Sequence, residues 1–227
     1  MGLKAERGAT APASTKSTYI LLGALVMGIA AAGALLFVTL SRIASETSIV
    51  IPVSDTVGAP IDPPRLLHDF TLPASTGVDM SLSELTAERW TVLFFGYMHC
   101  PDVCPLTLTE FKRVKTELGD AAGRVRFVFV SVDGRRDSPA ELARYLSNFD
   151  ADFIGLAGDD VTLAQIKPDF GLVYERNEDT GSAADYLVDH STRAYLIDPE
   201  MRLHTSYSFA TEPAAMAADI REYVGAG

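Results

Sequence analysis

Two strongly apolar stretches limit most what this chain can fold into. Residues 90–97 (WTVLFFGY) and 125–132 (VRFVFVSV) are nearly continuous hydrophobic runs, the pattern of strands that are buried on both faces of a sheet. An amphipathic helix is predicted after each run, from Pro105 to about Leu118 and, behind a capping box at Ser138, to about Phe149. Strands that alternate with helices favour a parallel βαβ core, so the sequence predicts an α/β fold.

The remainder of the chain predicts how this core is closed. A short strand at 153–156 precedes a helix that Asp160 caps and Pro168 ends. Two hairpins and a last helix follow, with predicted strands at 172–176 and 185–188, then 191–197 and 202–209, and a helix from Thr211. An antiparallel hairpin and a helix beside a parallel core are typical of thioredoxin-like proteins, which is the predicted fold.

An uncharged N-terminal segment predicts a membrane anchor. Residues 19–40 contain no charged side chain, and as a helix at about 1.5 Å per residue they would reach about 33 Å, enough to cross the hydrocarbon core. A cleaved signal peptide, the alternative, usually has a shorter apolar core. Basic residues dominate before the segment (Lys4, Arg7 and Lys16), which places the N-terminus in the cytoplasm and the main domain on the exported side.

These features predict a four-part organisation. Residues 1–18 form a cytoplasmic N-terminal segment, 19–40 a transmembrane helix, 41–64 a linker rich in Ser, Thr and Pro, and 65–227 the thioredoxin-like domain.

The composition excludes one class of function. The chain carries 30 acidic against 19 basic residues, a formal net charge of −11, without a run rich in lysine or arginine. A nucleic-acid-binding surface is therefore not expected. The 2 cysteines, Cys100 and Cys104, are too few for a disulfide-stapled scaffold, and their close spacing favours a shared site over a structural disulfide.

Both cysteines belong to the turn that leaves the first buried strand. Pro105 suits the first position of a helix, which puts Cys104 at the cap and Cys100 to Val103 in the turn. Sulfurs at a helix N-terminus favour the thiolate, so ionisation is expected to be easier than in free cysteine. Such a dithiol can oxidise, attack a disulfide or bind a soft metal, and the motif alone does not choose among the three.

The 4 histidines of the chain differ in placement. His68 lies at the linker and His204 alternates in a hairpin strand, so both are interpreted as ordinary surface or core residues. His99 is expected to point away from the adjacent cysteine. His190 precedes a predicted strand, in a turn that faces the cysteine loop in a thioredoxin-like topology.

Cys100, Cys104 and His190 together predict a metal site with two sulfur ligands and one nitrogen ligand. Soft thiolates select Cu(I), and imidazole also accepts Cu(II), so copper is the predicted metal in either oxidation state. Structural zinc would require a fourth strong ligand, and the chain has no third cysteine to supply it. Asp189 is the alternative candidate for that ligand, although an orienting or solvent-facing role is favoured for its carboxylate.

At this point the sequence resembles the SCO/SenC family of copper chaperones. The resemblance runs from about Phe70 to the C-terminus. It rests on residues 95–105 (FGYMHCPDVCP), 130–133 (VSVD), 136–139 (RDSP), 189–191 (DHS) and 195–199 (YLIDP). Two positions depart from the family pattern: Met98 replaces a small polar residue and Gly134 replaces a proline. Neither position is a ligand.

The resemblance implies a thioredoxin fold that binds copper through two cysteines and a histidine, roles that fall on Cys100, Cys104 and His190. It implies a metallochaperone that helps to assemble the binuclear copper centre of cytochrome c oxidase. The copper-bearing subunit of the oxidase is the implied partner, and other copper chaperones or a thiol reductant are further candidates.

A thiol-disulfide oxidoreductase, which would reduce the cysteines of the oxidase copper site, is the main alternative. Redox enzymes of the thioredoxin type usually carry C-x-x-C and a cis-proline that faces it. Here the spacing is C-x-x-x-C, and residues 190–192 (HST) stand where that proline is expected. These two features favour metal binding over enzymatic activity, although the roles are compatible. Redox or copper sensing is a third and weaker hypothesis.

Overall fold

In the computed structural model the chain divides into two units, Met1–Val53 and Ser54–Gly227. The structure describes residues 25, 27–37, 57–177, 187–190 and 192–225, and at 175–177 and 187–190 it describes the backbone alone. In the first unit, residues 27–37 form helix α1 within the predicted transmembrane segment 19–40, most of whose other residues lie outside the described part. None of the helices among the described residues combines the length and the apolar character needed to cross a bilayer.

The second unit is built on a mixed six-stranded sheet, which agrees with the predicted α/β class. The strands of the unit are β1 (Ala59–Leu66), β2 (Thr71–Pro73), β3 (Asp79–Ser81), β4 (Trp90–Gly96), β5 (Val125–Ser131), β6 (Ile154–Ala157), β7 (Tyr174–Asn177), β8 (Leu187–His190), β9 (Ala194–Ile197) and β10 (Arg202–Tyr207). The large sheet has the order β1-β10-β9-β4-β5-β6, while β2-β3 and β7-β8 form separate two-stranded sheets.

The helices cover the sheet and connect its parallel strands. They are α2 (Leu82–Thr86), α3 (Val103–Leu118), α4 (Pro139–Leu146), α5 (Asp160–Phe170) and α6 (Pro213–Gly225), with a 3₁₀ helix at Gly119–Arg124. Strands β4, β5 and β6 run parallel, joined by α3 and α4, whereas β9, β10 and β1 add to the sheet antiparallel. The predicted parallel core and closing antiparallel hairpin are both present.

Three predicted helix boundaries shift for identifiable reasons. The capping box at Ser138 is present, but α4 ends at Leu146 instead of about Phe149. Helix α5 is capped by Asp159, whose side chain accepts from two backbone amides, and it continues past Pro168 to a left-handed Gly171. A proline so close to the end of a helix removes one hydrogen bond and leaves little helix to disrupt. Helix α6 begins at Pro213, since proline suits the first position of a helix.

The predicted linker ends earlier than residue 64. Strand β1, Ala59–Leu66, pairs antiparallel with β10 at the edge of the large sheet, so residues 59–64 belong to the folded domain. Its ladder is interrupted between Pro60 and Arg65. Proline lacks an amide donor and is tolerated at a sheet edge, which explains how a proline-rich stretch becomes a strand.

The core lies under the carboxyl end of β4. Phe94, Phe95 and Phe129 of β4 and β5 are fully buried. The ring of Phe94 packs against Phe111 of α3 with a centroid distance of 6.1 Å, and Phe95 packs against Tyr195 of β9 at 6.0 Å. Closely packed side chains of this kind resist displacement, so the loop that follows β4 is attached to a rigid part of the core.

Candidate metal centre

The first part of the cysteine loop is held in place by hydrogen bonds of its backbone. At the end of β4, the carbonyl of Gly96 accepts from the amide of Val132 at 2.8 Å. The amide of Met98 donates to Oδ2 of Asp137 at 2.9 Å. The amide of Cys100 donates to the carbonyl of Tyr97 at 3.3 Å, which closes the turn. The position of the loop is therefore set by β4 and by the segment after β5.

Helix α3 begins earlier than the sequence predicts. Its N-cap is Asp102, and Cys104 is already a helical residue instead of the cap. Pro105 occupies the third helical position, where its missing amide removes no intrahelical hydrogen bond because the first amides of a helix have no partner within it. The Asp102 side chain makes no capping bond; instead, the amide of Cys104 donates to Sγ of Cys100 at 3.4 Å.

The two sulfurs have different environments. Both cysteines are thiols that are not joined in a disulfide, with Cys100 partly exposed and Cys104 buried. The sulfur of Cys104 sits against Gly96, since a Cβ added to that glycine would lie 2.8 Å from it. Glycine at the end of β4 therefore makes the space that the inner sulfur occupies, and Cys100 is the cysteine that an incoming group meets first.

The expectation of easy ionisation is wrong for Cys104. The hydrogen bond that its sulfur shares with Cys100, together with its burial, raises the pKa of Cys104 well above the usual range, and the negative charge of Asp137 acts in the same direction. The helix N-terminus does not overcome these effects. A bound cation would overcome the effects that keep Cys104 protonated, because metal binding displaces thiol protons and supplies the positive charge that the site lacks.

Asp137 is a part of the site that the residues alone did not single out. It is fully buried, and its Oδ2 accepts from the amide of Met98 and, at 2.6 Å, from the hydroxyl of Ser131. Its Oδ1 has no hydrogen bond among the described residues and lies 3.7 Å from Nδ1 of His99. Burial raises the pKa of Asp137. The sequence signals for it were its place directly before the capping box of α4 and its inclusion in residues 136–139 (RDSP), which carry part of the family resemblance.

Tyr145 of α4 completes the described surroundings of the thiols. Its hydroxyl is buried and has no hydrogen-bond partner within the described part of the chain. Burial raises the pKa of Tyr145, and the two cysteines and Asp137 raise it further. Two polar oxygens without hydrogen-bond partners, on Asp137 and Tyr145, are thus within electrostatic reach of the dithiol.

Two histidines have roles away from the site, as predicted. His68 is largely exposed and contacts Asp169 at 2.9 Å. His204 is packed edge-on against Trp90 at a centroid distance of 4.9 Å, and its Nε2 lies 2.8 Å from Oδ2 of Asp198. His99, predicted to point away from Cys100, is half exposed, and its Nδ1 lies 3.7 Å from Oδ1 of Asp137.

His190 is described by its backbone, as the last residue of β8, paired with Tyr174. Its side chain lies outside the described part, so its predicted role as third ligand stays a prediction. Among the side chains that the structure describes, no group of three or more His, Cys, Asp or Glu residues is arranged to hold a metal ion. Of the three predicted ligands, the structure therefore describes the side chains of Cys100 and Cys104.

The sequence model of the SCO1/SenC family matches residues 58–225, which covers the whole sheet and the cysteine loop. The chain belongs to the SCO1/SenC family. The match begins one residue before β1, in agreement with the domain boundary seen in the fold.

Known members of the family share both sequence and fold with the chain. It is 33% identical over 143 residues to the mitochondrial SCO2 homolog of Bos taurus, covering 61% of this chain and 52% of that protein. Copper-bound ScoI from Bradyrhizobium japonicum is 33% identical, with a TM-score of 0.63 over 70% of this chain and 99% of that one. The chain thus spans about half the length of the bovine protein and nearly all of the ScoI structure.

A more distant structure shows that the fold extends beyond close sequence similarity. BsSco, a member of the Sco family of cytochrome c oxidase assembly proteins in which a disulfide switch was identified, is 18% identical. Its TM-score is 0.58, over 73% of this chain and 96% of that one. The mixed α/β sheet of this chain is therefore the thioredoxin-like sheet of Sco proteins.

Proposed function

We propose that the chain binds copper through Cys100, Cys104 and His190 and delivers it, as a metallochaperone, to the binuclear copper centre of cytochrome c oxidase. Copper is a cargo in this role, so the ligands have to hold it and release it. Family membership and the copper bound by the related ScoI support copper as the metal. The oxidase as destination is supported by the assembly role named for the family of BsSco.

The observation that carries the proposal is the pair of cysteine thiols that the turn brings together at the start of α3. The amide of Cys104 reaches the sulfur of Cys100 at 3.4 Å, so the turn brings the outer sulfur to the backbone of the inner cysteine. Two thiolates can hold Cu(I), which is a soft ion. Since the ligand is the thiolate, binding releases both protons, including the proton that the raised pKa of Cys104 retains in the absence of metal.

The strand register supports His190 as the third ligand. Strand β9 pairs antiparallel with β4, with Ala194 opposite Phe94. Because the pairing is antiparallel, the N-terminal end of β9 lies beside the carboxyl end of β4, where the cysteine loop leaves. Only three residues separate His190 from Ala194, a span of at most about 14 Å between their Cα atoms.

A copper titration of the reduced full-length chain tests this function. We expect one copper ion per chain and, for the Cu(II) form, a thiolate-to-copper charge-transfer band. Cys100→Ser and Cys104→Ser should each weaken or shift the band, and the double variant should abolish it, whereas His68→Ala should leave it unchanged as a control at an exposed histidine. Preferential binding of zinc at equal supply, or a Cu(II) complex without the band, would contradict the proposal.

The different environments of the two sulfurs favour thiol-disulfide exchange as a second candidate function. In this reaction the exposed Cys100 thiolate attacks a disulfide of the target and forms a mixed disulfide, releasing one target thiolate. Cys104 then loses its proton and attacks the Cys100 sulfur, which releases the second target thiolate. The chain gives up two electrons and ends with a Cys100–Cys104 disulfide, while the target disulfide is reduced.

A variant that separates the two functions is His190→Ala. It removes the proposed copper ligand and leaves both thiols in place. If copper delivery dominates, cells that carry this variant should lose oxidase activity although the purified protein still reduces a peptide disulfide. Retained oxidase activity, together with loss of activity in Cys100→Ser, would favour thiol exchange as the main role.

We further propose that residues 19–40 anchor the chain in a membrane, with the N-terminus in the cytoplasm and the copper domain exported. An anchor that shares the membrane of the oxidase would raise the effective concentration of the chaperone. Residues 41–58 could span about 60 Å at full extension before β1 begins, which leaves reach for a partner on the same membrane.

The anchor is tested by exporting a version of the domain without residues 19–40. This version should keep its copper affinity, support oxidase assembly poorly at native abundance, and regain assembly when overexpressed. Full oxidase activity at matched low abundance would mean that the segment serves only for export.

A further inference from the structure

A cavity of about 520 Å³ opens at the N-terminal ends of β4 and β5. The cysteine loop leaves the sheet at the opposite, carboxyl end of β4. The cationic side chains that line the cavity are Arg89, Lys115 and Arg126, and Asp152 is its acidic one. Arg89 immediately precedes β4, and Arg126 is the second residue of β5, paired with Thr91. The cysteine loop leaves the other end of β4, a strand of 7 residues or about 23 Å in length.

Arg126 is held in a fixed position in the cavity wall. Its Nη1 donates to the carbonyl of Glu84 at 3.0 Å and to the carbonyl of Leu85. These carbonyls lie in the last turn of α2, where carbonyl groups lack a partner within the helix. The rest of the guanidinium, Nε and Nη2, has no hydrogen-bond partner among the residues that the structure describes.

The positive charge of the two arginines is not compensated. Lys115 of α3, which also lines the cavity, is paired with Asp150 at 2.8 Å and with Asp152 at 2.7 Å. Neither Arg89 nor Arg126 forms an ion pair within the described part of the chain. Burial lowers the pKa of Arg126, and the positive charge of Arg89 lowers it further.

We propose that this cavity is an anion site in which Arg89 and Arg126 bind a doubly charged oxyanion, a phosphate group. Two guanidinium groups match the charge of a phosphate dianion and offer it several charge-assisted hydrogen bonds. The uncompensated pair stands out because the chain as a whole carries a formal charge of −11. The phosphate can belong to inorganic phosphate or to the headgroup of a lipid.

The site is tested by titrating the ¹⁵N-labelled full-length chain with inorganic phosphate at neutral pH. We expect saturable shifts at the amides of residues 122–127 and at Nε–H of Arg126. Sodium chloride at matched ionic strength should not reproduce them. Arg89→Ala should weaken binding about tenfold, since it removes a charge-assisted interaction while leaving the capping bonds of Arg126 intact. Arg144→Ala, at an exposed position on α4, should bind as the wild type does.

Two soluble ligands distinguish the sources of the phosphate. A short-chain phosphatidic acid that binds at least tenfold more tightly than inorganic phosphate would identify a lipid headgroup, while equal affinities would identify the free ion. Shifts that chloride reproduces, or equal phosphate affinity in Arg89→Ala and Arg144→Ala, would overturn the proposal. Copper binding is expected to be unchanged in Arg89→Ala, so this test is independent of the cysteine site.

Discussion

Gly96→Ala tests whether the end of β4 positions the inner sulfur. A Cβ at this position would lie 2.6 Å from Cε2 of Phe129, 2.8 Å from Sγ of Cys104 and 3.0 Å from Cε1 of Phe94. Favourable contacts between carbon atoms begin near about 3.5 Å, so each of these groups would have to move by roughly 0.5–1 Å. All three neighbours are buried, and overpacking of this kind costs about 1–3 kcal/mol of stability.

The sulfur is the neighbour that can move most readily, because it ends a short side chain at the start of a helix. Phe94 and Phe129 are held by each other, with ring centroids 6.1 Å apart. A metal site tolerates displacements of only about 0.5 Å in its ligands. We therefore expect copper affinity to fall about tenfold or more in Gly96→Ala, equivalent to about 1.4 kcal/mol or more.

The measurement pairs urea unfolding with a competition titration for Cu(I). Gly123→Ala is the matched control, since a Cβ there would meet no atom within 4 Å. The control should keep wild-type copper affinity and lose little stability. If Gly96→Ala lost stability but bound copper as tightly as the control, the inner sulfur would not depend on the space at Gly96, and this account of its position would be wrong.

Three other substitutions test single parts of the site. His190→Ala should weaken Cu(II) far more than Cu(I), since two thiolates can hold Cu(I) in a linear geometry; equal losses in a competition titration would exclude a selective ligand. Burial raises the pKa of Asp137, so its charge destabilises the folded state increasingly as pH rises above about 4, its unfolded-state pKa. Asp137→Asn should therefore gain unfolding free energy relative to the wild type between about pH 4 and pH 7, and a constant difference would refute this. Pro105→Ala should lower copper affinity with a stability change of about 1 kcal/mol or less, whereas a stability loss at unchanged affinity would assign Pro105 to the helix alone.

The sequence was sufficient where a local pattern determines the structure. The two buried strands are found within one residue of their predicted bounds, as β4 and β5. The capping box at Ser138 begins α4, since both of its reciprocal hydrogen bonds are present. The cysteine loop follows β4 as predicted, because a strand, a turn and a helix start are each encoded by neighbouring residues.

Features set by distant parts of the chain were missed. The proline-rich residues 59–64 have no strand signal of their own, and they become part of β1 because β10 offers a free edge. Asp137 reaches the cysteine loop only because α3 and β5 return the chain to the same edge of the sheet. No spacing rule connects a carboxylate to an amide so far away in the sequence.

The start of α3 was misplaced for a subtler reason. Proline at the first helical position is favoured, but any position in the first turn lacks an intrahelical amide partner and accepts proline equally well in this respect. The sulfur of Cys100 accepts the amide of Cys104, so the helix can begin at Val103 without a capping bond from Asp102. The turn is therefore shorter than predicted, and the inner cysteine is carried on the helix itself.

That placement also explains why the thiolate expectation failed. A helix N-terminus favours an anion by about 0.3–1 kcal/mol at an exposed position, whereas complete burial can shift a pKa by several units in the opposite direction. The sulfur of Cys104 shares a hydrogen bond with Cys100, the residue is fully buried, and Asp137 adds a negative charge nearby, so these effects on the pKa of Cys104 prevail over the helix dipole. A dithiol in this setting keeps the proton of its inner thiol until a cation arrives. The inner sulfur then acts as a ligand only in exchange for a proton, so copper affinity should rise with pH, as expected for any metal bound through thiols that are protonated in the free protein.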